Sequence, residues 1–556
     1  MIFLAVKLTR GDVDEGAGKG ILGSSPTRFI RDPRQQGQSS SSSKVTIDSS
    51  LKPLKLTFPK FDEVDPKALM EGENLVYTLD EALSAMRFGK FQVLVLIYAG
   101  LGWFSEAMEI MILSFVGPAV KSKWKLSSGE ESLLTTVVFA GMLVGAYSWG
   151  LISDNWGRRK SFFLISIVTS GAGLLSAFSP NYTSLVMSRC LVGVGLGGGP
   201  VFLSWFLEFV PVSYRGTWMV FFSAFWTAGT IFEASLAWIV MTKLNWRWLL
   251  ALSSIPSFAL LLFYGLAPES PRYLCMKGRT IDALRILEKI SLINRAKLPP
   301  GMLVSDKKTT GQNEESSVSS QDTFPPSAIR KMITKFKSAF SSFFMLFSPK
   351  LIRTTLLLWV LFFASAFSYY GVVLLTSKLS SKESKCGSTI LHSGNSKDNS
   401  LYVNVFITSL AELPGLILPA IIVDIIGRKL SIVTMFILAC VFLLPLAFHQ
   451  SAVMTTVLLF GVRVCATGTI TVASFYAPEI YPTSMRTTGA GVASSVGRIG
   501  GMVCPLVAVA LVSACHLSAA VILFEVVFVL AIASTLLLPF ETKGQQLRDN
   551  VDVLDS

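Results

Sequence analysis

Gly150-Leu151-Ile152-Ser153-Asp154-Asn155-Trp156-Gly157-Arg158-Arg159-Lys160 separates two long apolar runs, and Asp424-Ile425-Ile426-Gly427-Arg428-Lys429 separates two others 270 residues later. Glu208 and Arg215 recur as Glu479 and Arg486, each 271 residues on. Pro268-Glu269-Ser270-Pro271-Arg272 is echoed from Pro539 as Pro539-Phe540-Glu541-Thr542-Lys543-Gly544. Marks held at so constant a spacing report a duplicated unit. The chain reads as two halves of the same topology.

Working outward from these loops, apolar runs of about 20 residues recur on both sides, the length that crosses a bilayer as a helix. Runs of this kind must be helical, because lipid offers no partners to an open backbone. They fall near 93–118, 132–152, 161–179, 184–207, 217–240 and 247–266. The second set lies near 353–376, 402–422, 430–448, 452–475, 488–513 and 517–538. Composition agrees: 51% of residues are hydrophobic and only 15% charged, with a mean hydropathy of +0.55. Soluble domains carry about a quarter charged residues. The fold class expected is an all-α membrane protein, about twelve transmembrane helices in two six-helix halves. The expected boundaries are a disordered cytosolic tail over 1–85, a first bundle over 86–270 and a cytosolic central loop over 271–350. A second bundle covers 351–540, and a short cytosolic tail covers 541–556. Within the central loop, Thr280 to Ile290 reads as an amphipathic helix and 305–325 as disordered.

The net charge of +13 does not point to nucleic acid, because the basic residues sit in loops between apolar runs. With both termini placed in the cytosol, 37 of the 49 lysines and arginines fall on the cytosolic side. That orientation follows the preference of positive charge for the cytoplasmic face. The seven cysteines and three histidines show no metal-ligand spacing, so no metal is expected. Cys386 stands alone in a polar loop. No nucleophile–base pair or phosphate-binding loop appears, which disfavours an enzyme, and no cofactor is implied. The glycine run Gly193 to Gly199 lacks the surrounding strands of a dinucleotide site and reads instead as close helix packing.

Few charges lie within the spans: Glu106, Glu109, Arg189, Glu233, Glu412, Arg463, Arg498 and Glu525. Each is costly in lipid, on the order of +2.5 to 3.5 kcal/mol at mid-helix, so each should face a partner or a wet cavity. Glu106 and Glu109 are spaced i, i+3 on one helix face. Two close carboxylates raise one another's affinity for a proton, which suits proton loading; the alternative is that one pairs with a basic residue or sits at the outer interface. Arg498 is a candidate anchor for a substrate carboxylate, because its fork matches two oxygens. Its alternative is a structural pair with Glu412 or Glu525. Trp103, Trp205, Trp226, Tyr369 and Tyr370 are candidates for stacking on a ring or facing an ammonium. Of these, Tyr369-Tyr370 beside Ser365 and Ser368 is the strongest.

The paired Asp-x-x-Gly-Arg-Arg/Lys loops resemble the signature of the major facilitator superfamily, over roughly 85–545. Tyr77-Thr78-Leu79-Asp80-Glu81-Ala82, Gly89-Lys90-Phe91-Gln92, Glu106-Ala107-Met108-Glu109 and Trp246-Arg247-Trp248 are similar to its synaptic-vesicle-2-related group, including plant organic cation/carnitine and nicotinate transporters. The resemblance implies rocking of the halves about a mid-membrane site. It implies that Asp154, Arg158, Arg159, Glu208, Arg215, Glu269, Arg272, Asp424, Arg428, Glu479 and Arg486 form gating charge networks. It also implies that Arg189 takes part in proton coupling, with Arg463 its repeat mate, and that the Arg498 position is basic in carriers of anions. The function expected is proton-coupled transport of a small organic ion, first a nicotinate-like monocarboxylate, alternatively an organic cation or carnitine. A non-transporting receptor or vesicle component is a further alternative. The partners expected are that organic ion, protons and the lipid bilayer. A monomer in the plasma or vacuolar membrane is expected.

Overall fold

The computed structural model describes residues 76–211, 215–303, 345–349, 351–380, 400–448, 450–481, 486–539 and 541–543. The polar tail before residue 76, the 305–325 patch and Cys386 lie outside the described residues, as do the side chains of Asp424 and Arg486.

Among the described residues, eleven helices are long and apolar enough to cross a membrane. Five belong to the first half: Lys90–Trp124, Ser128–Trp156, Arg158–Ala177, Tyr182–Leu207 and Trp218–Lys243. Six belong to the second: Ile352–Ser380, Leu401–Val423, Arg428–Ala447, Ala452–Ile480, Thr488–Val512 and Leu517–Leu537. The remaining expected span is the shorter apolar stretch Trp246–Leu262. It is split at Ser254 into helices Trp246–Ser253 and Ile255–Leu262, the second opening with Pro256. Proline has no N–H to continue the preceding ladder, so this span is two short pieces. With that stretch counted as the sixth, the spans are numbered one to twelve in chain order below.

Local signals set the span ends. Ser127 caps the second span in a reciprocal box with Glu130. Each charge loop turns on a glycine of positive φ, Gly157 at 99° and Gly427 at 89°. A side chain there would also strike a carboxylate, Glu269 at the first and Glu541 at the second. The glycine run of the fourth span packs against the second. A Cβ on Gly193 would lie 2.1 Å from the Val138 carbonyl oxygen, and one on Gly145 would lie 2.0 Å from that of Val194. Only hydrogen fits at so close a backbone crossing.

Part of the segment expected to be tail is folded. Val76–Tyr77 pairs in parallel with Met302–Leu303. Helix Leu79–Met86 follows, closed by a Thr78/Glu81 capping box, and buries Leu79, Ala82, Leu83 and Met86. These pack with Leu287 and Ile290 of helix Thr280–Asn294, the amphipathic helix expected from sequence. Asn294 at its end accepts from the Phe91 N–H (3.0 Å) and donates to Gln92 (2.8 Å). The first span is thereby tied at its start to the central segment.

The two ends of the molecule differ. One, here the loop end, carries Gly157 and Gly427. Bonds joining the halves cluster at the middle and the far end. Lys378 meets Glu131 at 2.5 Å, Ser377 Oγ donates to the Ser114 carbonyl at 2.6 Å, and Thr136 Oγ1 donates to the Met502 carbonyl at 3.3 Å. Phe115 stacks near Tyr402 and Trp238 near Phe406. The far end is closed by these contacts.

Candidate functional site

At the loop end each half builds the same carboxylate–arginine cluster. Arg158 reaches Glu208 at 3.1 Å and Asp154 at 2.7 Å. Glu269 accepts from the backbone N–H groups of Arg158 (2.9 Å) and Arg159 (3.3 Å). A carboxylate there satisfies the free donors at the start of the third span and meets the positive end of its dipole. In the second half Arg428 meets Glu479 at 3.1 Å, and Glu541 accepts from the N–H groups of Arg428 (2.8 Å) and Lys429 (3.0 Å). These bonds each lie within one half.

Three expected members are placed otherwise. The Arg159 side chain lies over the Tyr264 ring, 4.8 Å from its centre. Arg215 and Arg272 converge on Asp80, at 3.4 and 2.5 Å. Asp80 belongs to helix Leu79–Met86 and was not among the expected site residues. Burial first, and then the neighbouring Arg272 charge, pull the Arg215 guanidinium below its ordinary value despite Asp80.

Two ion pairs are wholly enclosed. Arg189 Nη1 meets Glu109 Oε2 at 2.8 Å, both side chains fully buried, and Arg189 Nη2 donates to Ser176 at 2.6 Å. Arg463 meets Glu412 at 2.7 Å, again with no exposure. The Tyr369 hydroxyl donates to Glu412 Oε1 at 2.7 Å and accepts from Trp226 Nε1 at 2.8 Å. Thr230 Oγ1 donates to the other Glu412 oxygen at 2.8 Å. Trp226 and Thr230 belong to the first half, so this pair is bonded across the interface.

Glu106 and Glu109 part company despite their spacing. Glu109 turns to Arg189. Glu106 lies beside Gly199, in a small cavity of about 20 Å³ shared with Ser105, Ser166 and Thr169. The carboxylate near Glu109 and Arg189 is instead Glu233, fully buried on the fifth span. Its carboxyl oxygens lie 2.9 and 2.8 Å from the Ser253 hydroxyl. Glu233 stood in the sequence as an intramembrane charge, without a signal for its partner.

Arg498 is half-buried on the eleventh span. Glu412 is held by Arg463, and Glu525 lies beside Cys440. Among the described residues Arg498 forms no ion pair; Glu106 and Tyr370 are the groups within its electrostatic reach. One turn on, Gly501 abuts Phe139 and Tyr370. The rings Trp103, Trp226, Tyr369, Tyr370 and Phe139 run in series, with neighbouring centres 4.5–6.5 Å apart. Trp205 is not among them; it is buried within the first half, donating to the Pro268 carbonyl at 3.1 Å. Around Arg498 the described residues thus place one carboxylate within electrostatic reach, Glu106, and a series of aromatic rings.

The family model for sugar (and other) transporters matches residues 101–551. The chain belongs to this transporter family. An organic cation/carnitine transporter 7 of Arabidopsis thaliana is 56% identical over 491 residues, covering 87% of this chain and 98% of that protein. A synaptic vesicle 2-related protein of Xenopus laevis is 35% identical over 498 residues, covering 87% and 85%. Among solved structures, the major facilitator superfamily proton:xylose symporter XylE bound to 6-bromo-6-deoxy-D-glucose aligns with a TM-score of 0.61 at 17% identity. It covers 84% of this chain and 99% of that one. A partially occluded inward-open XylE from E. coli aligns at 0.60 and 16% identity, covering 82% and 100%. This member of the sugar (and other) transporter family has the major facilitator fold. It is a multi-pass membrane transporter, and its relatives are transporters rather than enzymes.

Proposed function

We propose that the protein is a proton-coupled transporter of small organic ions bearing a carboxylate, with a nicotinate-like monocarboxylate as first substrate. The observation that carries this reading is Arg498, a guanidinium on the eleventh span that forms no ion pair among the described residues. A substrate carboxylate matches its planar fork through two charge-assisted hydrogen bonds. Tyr370 and the adjoining rings supply faces for an aromatic substrate, while Tyr369 and Trp226 have their polar atoms engaged with each other and Glu412. A second reading rests on Glu106, which forms no ion pair among the described residues and lies within electrostatic reach of Arg498. A zwitterion spans Glu106 and Arg498, which accords with the carnitine in the name of the Arabidopsis relative.

In this reading both termini are cytosolic and the loop end faces the cytosol. The described conformation is then the one sealed on the outside. The protein works as a monomer in the plasma or vacuolar membrane. Asp154, Arg158, Glu208 and Glu269, with their counterparts Asp424, Arg428, Glu479 and Glu541, bias the rocking equilibrium. Arg159, Arg215, Arg272 and Arg486 belong to the same cytosolic face. Glu109 and Arg189 belong to the proton-coupling site. The test is uptake of labelled nicotinate and carnitine into proteoliposomes, with and without an imposed pH gradient. Gradient-driven nicotinate accumulation supports the first reading. Carnitine accumulation with no nicotinate uptake replaces it with the second.

A further inference from the structure

Glu233 is fully enclosed, and among the described residues no cation touches its carboxyl group. Its near neighbour is the Ser253 hydroxyl, which lies 2.9 Å from Oε1 and 2.8 Å from Oε2. The same hydroxyl lies 2.8 Å from the Leu249 carbonyl oxygen. A hydroxyl has one hydrogen, whereas an ionised carboxylate and a carbonyl only accept. Were Glu233 ionised, three acceptor oxygens would compete for a single hydrogen at a site closed to bulk solvent. A proton on Glu233 resolves the conflict. The carboxyl O–H then donates to Ser253, and Ser253 donates to Leu249.

The surrounding charges agree. On the first span Glu109 is matched by Arg189 of the fourth. On the eighth, Glu412 is bound to Arg463 and to Thr230, three residues before Glu233. The arginine within electrostatic reach of Glu233 is Arg189, which already pairs with Glu109. Among the described residues Glu109 Oε1 and Arg189 Nε nevertheless have no hydrogen-bond partner. The pair therefore retains one free acceptor and one free donor with which to rearrange.

We infer that Glu233 carries a proton in this conformation, as the neutral carboxyl beside the Glu109–Arg189 ion pair, and that this is the proton moved during transport. The role in transport rests on the proton-coupled reading above; the protonation itself does not. The step is a plain dissociation. The Glu233 O–H bond breaks, the electron pair stays on the carboxylate and the proton passes to water. The cluster then changes from neutral to one net negative charge, and Arg189 is shared between Glu109 and Glu233.

Infrared difference spectroscopy on the full-length protein in lipid tests the protonation directly. The parent should show a protonated-carboxyl C=O band at neutral pH that Glu233→Gln removes. An unchanged band in that variant overturns the inference. Glu109→Gln should lose the same band, because Arg189, freed of its partner, draws Glu233 into the ionised form. A full band there contradicts the shared arginine. If Glu233→Gln fails to fold, Ser253→Ala serves instead: it should shift the band by removing its acceptor, and an unshifted band overturns the assignment. In proteoliposomes with labelled nicotinate, Glu233→Gln should exchange substrate but lose pH-driven accumulation. Parent-like accumulation by the variant removes Glu233 as the carrier. A parent that shows no pH-driven accumulation removes proton coupling itself, while the infrared band still decides the protonation.

Discussion

Lys378 of the seventh span and Glu131 of the second meet at 2.5 Å, with Lys121 3.2 Å from the same carboxylate. One carboxylate from the first half thus holds a lysine from each half, at the far end of the molecule. Glu131 is almost fully buried, so the link is shielded from the screening that weakens exposed ion pairs. In a transporter whose halves rock, such a link forms only while the far end is closed and so favours that state.

Glu131→Gln or Lys378→Ala should therefore shift the protein toward the state open at the far end. A shift of about tenfold corresponds to about 1.4 kcal/mol. The readout is labelling of a cysteine placed at Thr136 by a membrane-impermeant thiol reagent. Labelling should speed up in either variant. Unchanged labelling in both would show that the ion pair is incidental to the seal.

Asp154→Asn and Arg158→Ala should slow transport sharply while leaving membrane insertion intact. Arg158 joins Asp154 and Glu208 at one end of the third span, far from the central residues. Glu269→Gln should act in the same direction, because a neutral amide meets the helix terminus less favourably than a carboxylate. Initial uptake rates, normalised to the amount of protein in the membrane, check this. Parent-like turnover in well-inserted Asp154→Asn counts against a gating role.

Glu412→Gln should cost folded protein more than any loop variant. Arg463 would keep its burial but lose its counter-charge, and breaking a buried pair from one side costs about 3–5 kcal/mol. Tyr369→Phe should cost less, removing the bonds to Trp226 and Glu412 while leaving Arg463 paired. Thermal unfolding in detergent should rank the parent above Tyr369→Phe and that above Glu412→Gln. The reverse order would place the stability of this cluster in the hydroxyl rather than the ion pair.

How far these networks were legible depended on whether partners lay within a repeating pattern. Asp154, Arg158, Glu208 and Glu269 recur 270 to 272 residues later in the second half, so duplication exposed them. Asp80 pairs with Arg215 and Arg272 across 135 and 192 residues, in a segment whose polarity read as tail; only the tertiary packing of helix Leu79–Met86 brings it there. Glu106 and Glu109 illustrate the limit of periodicity. A shared helix face does not fix where two side chains point, and here one meets Arg189 while the other meets Gly199. Glu412 was expected as one choice of partner for Arg498, but Arg463 holds it. The repeat mates Arg189 and Arg463 thus use carboxylates from non-equivalent spans, which duplication alone does not foretell. The sixth span was readable as apolar, but its break at Ser254 and Pro256 shortens the helices.

If Arg498 receives a substrate carboxylate, ligands that differ in that group alone test it most directly. Nicotinamide keeps the ring of nicotinate and loses its charge. Ligand-induced thermal shifts should be measured on purified parent, Arg498→Ala and Arg498→Lys with nicotinate, nicotinamide and carnitine. The parent should prefer nicotinate over nicotinamide. Arg498→Ala should lose that preference at a cost of about 2–5 kcal/mol, the range for truncating one partner of a buried charge pair. Arg498→Lys should restore it in part, since an ammonium lacks the planar fork. An Arg498→Ala protein that still prefers nicotinate over nicotinamide as strongly as the parent would contradict the account and put the carboxylate anchor elsewhere.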